Sequence, residues 1–152
     1  VRTGKVNKKN ISAEESVLSH LNLETAAIIE IDLKVFDEQK MGEVIQTLEH
    51  QGYFAVRVDE SAISNKNALL HALNRACGFP DYFGFNWDAL FDSLVDFSWR
   101  PAKGYVLLYK NPEQLDKSDL RNFFDIVEEA SIIWARSDIP FKLVIPEGAV
   151  DI

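Results

Sequence analysis

Phe79-Pro80-Asp81-Tyr82-Phe83-Gly84-Phe85-Asn86-Trp87-Asp88-Ala89-Leu90-Phe91-Asp92-Ser93-Leu94-Val95-Asp96-Phe97 is the stretch whose reading decides this chain. It opens on breakers and closes as a helix. Gly78, just before it, ends the preceding helix, because glycine takes the left-handed angles past a C-terminus at low cost. Pro80 keeps Phe79 out of helical angles, and Gly84 reaches backbone angles closed to other residues. Asn86 is placed to cap the next helix, its side chain accepting an N–H of the first turn. Trp87, Leu90, Leu94 and Phe97 then recur at helical spacing and predict a buried stripe. Asp88, Asp92 and Asp96 recur every four residues, so they stack on one side.

From Asp81 to Ser98 there are four acids and no Lys or Arg. Like charges at this spacing weaken an isolated helix by roughly a few tenths of a kcal/mol per pair. Only Asp88, near the N-terminal end, gains from the helix dipole. Two readings stand for such a column. One is an ordinary solvated face. The other is a binding patch, which the interleaved aromatics and the missing bases favour.

Outward from this stretch, short apolar runs alternate with amphipathic helices. Ala26–Ile31 reads as a strand, with Lys34-Val35-Phe36 extending it or turning away. Asp37 is placed to cap a helix carrying Met41, Val44, Ile45 and Leu48, closed by Gly52. Tyr53–Val58 is a second strand, ended by Asp59. Ser64 is expected to cap the helix of Leu69, Leu70, Leu73 and Cys77. A loop from Ser98 to Gly104 follows, then a strand over Tyr105–Tyr109. A long helix is predicted from Lys117 to Arg136, and a last strand over Phe141–Ile145. This alternation predicts an α/β domain with a mainly parallel sheet and right-handed crossovers.

The ends are less patterned. Residues 1–10 carry Arg2, Lys5, Lys8 and Lys9 without an acid and read as a flexible arm. Ser12 to Glu15 has capping-box spacing and starts a short helix towards Leu21. The expected division is residues 1–25 as arm and short helix, then one domain over 26–152. Within it, 26–52 form a βα extension.

Composition narrows the function. A chain of 152 residues, 47% hydrophobic, buries one core. A net charge of −8 argues against nucleic acid as a partner and suits a basic protein. The single Cys77 excludes an internal disulfide and fits a reducing compartment. No apolar run has transmembrane length and no signal-peptide pattern appears, so a cytoplasmic protein with no membrane partner is expected. His20, His50 and His71 lie far apart in sequence, and no phosphate loop, dinucleotide fingerprint or zinc spacing is present. The expectation is therefore no enzyme and no cofactor. The Asp88–Asp92–Asp96 column offers a weaker alternative, a Mg2+ site completed by Glu128 or Glu129.

The run Pro80-Asp81-Tyr82-Phe83-Gly84-Phe85-Asn86-Trp87-Asp88-Ala89-Leu90-Phe91-Asp92-Ser93-Leu94 resembles the signature of the barstar family, intracellular inhibitors of barnase-like ribonucleases. The likeness extends more weakly over Tyr53 to Pro146. It implies a barstar-like three-layered α/β fold with a three- to four-stranded sheet, the βα element being an addition. It implies an immunity protein, or antitoxin, towards a basic ribonuclease; the sequence leaves the oligomeric state open, with a monomer expected. By resemblance, Asp92 is the central acidic contact, Asp88 a second, and Glu129 an acidic contact from the later helix. Tyr82 matches the aromatic that lies over the nuclease's catalytic histidine. Gly84 and Asn86 match the loop that presents the helix, and Phe91 and Phe97 stand where barstar itself has tryptophans. Phe83, Trp87, Val95 and Asp96 complete the expected contact set.

The chain also departs from the pattern. Val95-Asp96 replaces a small Thr-Gly pair, Phe91 lacks an indole N–H, and Trp87 replaces an aliphatic residue. The loop from Phe97 to Tyr105 is longer. These changes imply a different ribonuclease partner, or a barstar-fold interaction module whose partner is not a ribonuclease.

Overall fold

The computed structural model describes residues 3–5, for their backbone, together with 11–58 and 62–151. Among the described residues five strands run β1 (Thr3–Lys5), β2 (Ile28–Ile31), β3 (Phe54–Arg57), β4 (Tyr105–Leu108) and β5 (Phe141–Pro146). They form one sheet in the order β1-β2-β5-β4-β3, every pair parallel. Five helices connect them: α1 (Ala13–Leu18), α2 (Glu38–His50), α3 (Lys66–Cys77), α4 (Trp87–Leu94) and α5 (Lys117–Ala135).

Alternation along the strands sorts the core into two layers. Ile28, Phe54, Tyr105, Leu107, Phe141, Leu143 and Ile145 pack with α3, α4 and α5. Ile29, Ile31, Ala55, Val106, Leu108 and Val144 pack on the other face with α1 and α2. A sheet covered on both faces needs apolar residues at nearly every position, which is why its strands read as continuous runs. The three-layered α/β class is the one expected from the sequence.

The sheet has one strand more than expected. Thr3, Gly4 and Lys5 pair with Ile28, Ile29 and Glu30, where a flexible arm was predicted. An open edge of β2 offers unpaired N–H and C=O groups, and three residues of backbone satisfy part of them. Backbone pairing leaves no hydropathy signature in a segment reading Thr-Gly-Lys. The rest of the predicted arm, residues 1–2 and 6–10, lies outside the described residues, as does Asp59.

Local signals place most boundaries. Ser12 Oγ accepts the Glu15 N–H at 3.1 Å and Asp37 caps α2 through the Lys40 N–H at 3.2 Å. The cap of α3 is Asn65 instead of the expected Ser64: its Oδ1 accepts the Ala68 N–H at 2.9 Å. The shorter Lys34-Val35-Phe36 segment turns away from β2 as a single 3-10 turn over Leu33–Phe36.

The βα extension is attached by packing and by one buried charge. Lys142, on β5, is 2% exposed, and its Nζ donates to the carbonyls of Thr25 at 2.9 Å and Ala26 at 3.1 Å. Burial lowers its pKa to about 8. On the surface, Arg100 meets Glu49 of α2 at 2.9 Å, joining the loop after α4 to the extension. Where β4 begins, Gly104 passes so close to the Tyr53 ring that a Cβ there would stand 2.7 Å from Cδ1. Among the described residues no helix is long and apolar enough to cross a membrane.

Candidate functional site

The deciding stretch forms a shaped loop and a short helix on the α3–α5 side of the sheet. Gly78 takes φ +65 and its N–H donates to the Asn74 carbonyl at 2.9 Å, closing α3. Phe79 and Phe83 then turn inward and meet at 4.7 Å between ring centroids. A turn from the Phe83 N–H to the Pro80 carbonyl, 2.9 Å, leaves Tyr82 outside with 81% of its surface exposed. The left-handed residue of the loop is Phe85, at φ 52, and not Gly84 as expected; this costs a residue with a Cβ about 1 kcal/mol. The Phe85 ring offsets this by stacking on His71 at 4.4 Å and packing on Phe83 at 4.7 Å. Asn86 caps α4 as expected, its Oδ1 accepting the Ala89 N–H at 2.7 Å.

Helix α4 divides by face. Leu90, Ser93 and Leu94 are buried. Asp88, Asp92 and Asp96 are exposed, and Trp87, Phe91 and Val95 lie half-buried between the two sets. Trp87 therefore borders the surface and does not complete the buried stripe predicted for it. Phe97 leaves the helix at φ 44 and turns its ring into the core, stacked on Tyr105 at 4.5 Å and packed on Trp99 at 5.2 Å.

Two of the residues expected to meet a partner are thus unavailable. Phe83 is 6% exposed and Phe97 1% exposed. Both hold the loop from beneath, because neighbouring rings claim their faces: Phe79 and Phe85 on Phe83, and Phe54, Phe79, Trp99 and Tyr105 on Phe97. Tyr82, Gly84, Asn86, Asp88, Asp92 and Asp96 reach solvent, and Trp87, Phe91 and Val95 partly do.

Helix α5 supplies the other wall. Trp87, Asp88 and Phe91 face Asn122, Asp125, Ile126 and Glu129 across an open groove of about 270 Å³. Glu129 is brought to the site from forty-one positions beyond Asp88. Asn122, Asp125 and Ile126 were not singled out from the sequence. Their spacing of seven, four and three residues before Glu129 is the helical signal that would have found them.

The groove's charge is one-sided. Residues 81–99 and 122–135 contain Asp81, Asp88, Asp92, Asp96, Asp125, Glu128 and Glu129 and not one Lys or Arg. Among the described residues none of these acids forms an ion pair. Asp96 accepts a hydrogen bond from Ser98 Oγ at 3.3 Å. Lys66 approaches from α3, its Nζ 5.8 Å from the centroid of the Trp87 ring. A cleft of this kind holds a cationic group through carboxylates and aromatic faces together.

Other chemistry finds little to use. Among the described residues no group of three or more His, Cys, Asp or Glu side chains is gathered around a point that would hold a metal. Asp88 and Asp92 lie on α4, whereas Asp96 falls in the turn after its C-cap Val95, because the helix ends at Leu94 and not at Phe97 as the spacing predicted, and the three do not converge. Burial pushes the Cys77 thiol up to about 12, so it stays protonated at neutral pH. His71 is engaged by Phe85 and donates from Nδ1 to the Asn67 carbonyl at 2.9 Å.

Comparison with known proteins agrees with the region that the loop and groove occupy. The family model described as Barstar (barnase inhibitor) matches residues 53–146, more than half of the chain. The match takes in β3, α3, α4, β4, α5 and β5, and so both walls of the groove; β1, α1, β2 and α2 precede it. No curated protein matches the chain.

Proposed function

The chain belongs to the barstar (barnase inhibitor) family, and from that premise we propose that its acidic α4–α5 face binds a barnase-like ribonuclease and blocks the enzyme's basic active site. The observation that carries this reading is the absence of any internal partner for Asp88, Asp92 and Glu129 among the described residues. Carboxylates left solvated on one face stand ready to take the place of substrate phosphates between Arg, Lys or protonated His side chains. Asp92 is the acid proposed to enter the catalytic cleft. Asp88 and Glu129 flank the groove, where a cationic side chain fits against Trp87 and Phe91. Tyr82 covers the partner's cleft from the loop side, with Gly84 and Asn86 setting the loop's shape. Val95 and Asp96 extend the contact at the far end of α4.

No bond is made or broken in this mechanism. Inhibition is occlusion, assisted by electrostatic steering of a basic enzyme towards an acidic face. The protein would act in the compartment that holds the nuclease, with the single reduced Cys77 suited to the cytoplasm. The test is RNA cleavage by a purified barnase-like ribonuclease titrated with the chain. Cleavage is expected to vanish at one equivalent. Undiminished cleavage at a tenfold excess sinks the ribonuclease reading and leaves the family's fold serving another protein partner. Val95 and Asp96, bulkier and more charged than the Thr-Gly pair of the resemblance, are the residues that favour this second reading.

A further inference from the structure

We propose that the contact surface continues past the groove along α5, where Asp125 and Ile132 select a partner carrying an apolar side chain beside its basic patch. This rests on the reading that the acidic face is a protein-contact surface, and it adds which partners that surface prefers. Asp125, Glu129 and Ile132 recur at i, i+4 and i+7, so they form one column on the helix. The first two line the groove. The third is 60% exposed, whereas Leu120, Phe123, Phe124 and Val127 of the same helix are buried against the sheet.

A lone exposed aliphatic residue needs no explanation. Ile132 differs by position. It follows two unpaired carboxylates on the column, and Trp134, two residues on, ties this part of α5 to the end of α4 through the Leu94 carbonyl at 2.8 Å. An apolar contact next to a cation-binding groove is thereby held in fixed geometry on rigid helices.

Charge complementarity identifies the occupant as a basic protein surface. Segments 81–99 and 122–135 carry acids and no base, so a second copy of this chain would bring the same sign to the same place. An anionic membrane is repelled for that reason too. A purely basic surface would satisfy the acids but leave Ile132 in water. A surface with an aliphatic or aromatic residue next to its Lys or Arg would cover both.

The experiment titrates the folded chain with two peptides of equal charge, an oligolysine and an alternating lysine–leucine peptide, followed by NMR. Both are expected to shift the amides of Asp88, Asp92, Asp125 and Glu129. Only the lysine–leucine peptide should shift the Ile132 methyl, and it should bind about tenfold more tightly, as expected for burying one branched side chain. Ile132→Ser should remove that advantage. Leu33→Ser serves as control, because Leu33 is 62% exposed but lies on the other layer, before α2. Equal affinities for the two peptides, an unmoved Ile132 methyl, or an equal loss in Leu33→Ser overturns the proposal. If neither peptide shifts Asp88 and Asp92, the underlying reading of the face as a contact surface fails, and the proposal with it.

Discussion

The indole Nε1 of Trp134 donates to the carbonyl of Leu94 at 2.8 Å, so a side chain of α5 closes the last turn of α4. The last carbonyls of a helix have no partner within it. Here one of them is taken by the neighbour that forms the opposite wall of the groove. The Trp134 ring also lies on Tyr105 at 4.8 Å, and Tyr105 stacks on Phe97. Helix, groove and loop are thereby held as one unit on the sheet.

Trp134→Phe keeps most of the ring and removes the donor. The expected cost is about 1 kcal/mol in urea unfolding, the worth of one hydrogen bond. A change below a few tenths of a kcal/mol would mean the bond does not hold α4 in solution.

Asp92→Ala should weaken binding to a barnase-like ribonuclease by roughly 2 kcal/mol or more, about thirtyfold. Asp119→Ala, in the first turn of α5 and outside the groove, should change affinity by less than about threefold. Kd measured by surface plasmon resonance distinguishes them, and equal losses would remove the specific role of Asp92.

Association should slow as salt is added, while dissociation changes little. Exposed charges on a one-sided face act at distances that salt screens within about 8–10 Å at 0.1–0.15 M. An on-rate independent of ionic strength would point to an apolar contact as the main attraction.

Gly104→Ala should destabilise the fold by roughly 1–3 kcal/mol, since the added Cβ falls at 2.7 and 2.9 Å from two carbons of the Tyr53 ring and 3.0 Å from Pro140 Cγ. Tyr53→Ala in the same chain should recover part of the loss due to the clash. A double-mutant cycle reads this coupling directly.

Lys142 makes stability depend on pH in the alkaline range. Burial lowers its pKa from 10.5 to about 8, so the folded chain releases this proton before the unfolded chain does. Below about 8 the burial penalty is fully present. Between about 8 and 10.5 the unfolded state holds more protons, and this group's contribution to stability rises with pH. Cys77 and Tyr109 act in the opposite sense, because burial raises both their pKa values. The difference between wild type and Lys142→Met, followed by urea unfolding from pH 7 to 10.5, isolates the lysine. Wild type should gain relative to the variant as pH rises, and a flat difference would show that the ammonium is better solvated than its burial indicates.

Much of the fold was legible because its signals are local. The four-residue spacing of Asp88, Asp92 and Asp96, the cap at Asn86, the left-handed Gly78 and the apolar runs of β2 to β5 each depend on residues close along the chain. Such patterns survive in sequence, because backbone geometry alone fixes which neighbours share a face. The same patterns misplaced one cap by a residue, Asn65 for Ser64, where two capping residues stand side by side.

Packing between distant segments decided the rest. The strand at Thr3–Lys5 exists through hydrogen bonds to a partner twenty-five residues on, with no apolar pattern of its own. Phe83 and Phe97 look like contact residues in a linear motif, yet rings from Phe79, Trp99 and Tyr105 draw them inward. The groove itself belongs to neither helix. Sequence specified one acidic, aromatic-edged helix and a long helix beyond it; only their placement on a shared sheet set Asp125 and Glu129 opposite Trp87 and Asp88, because distances between elements come from long-range burial that no window of the chain contains.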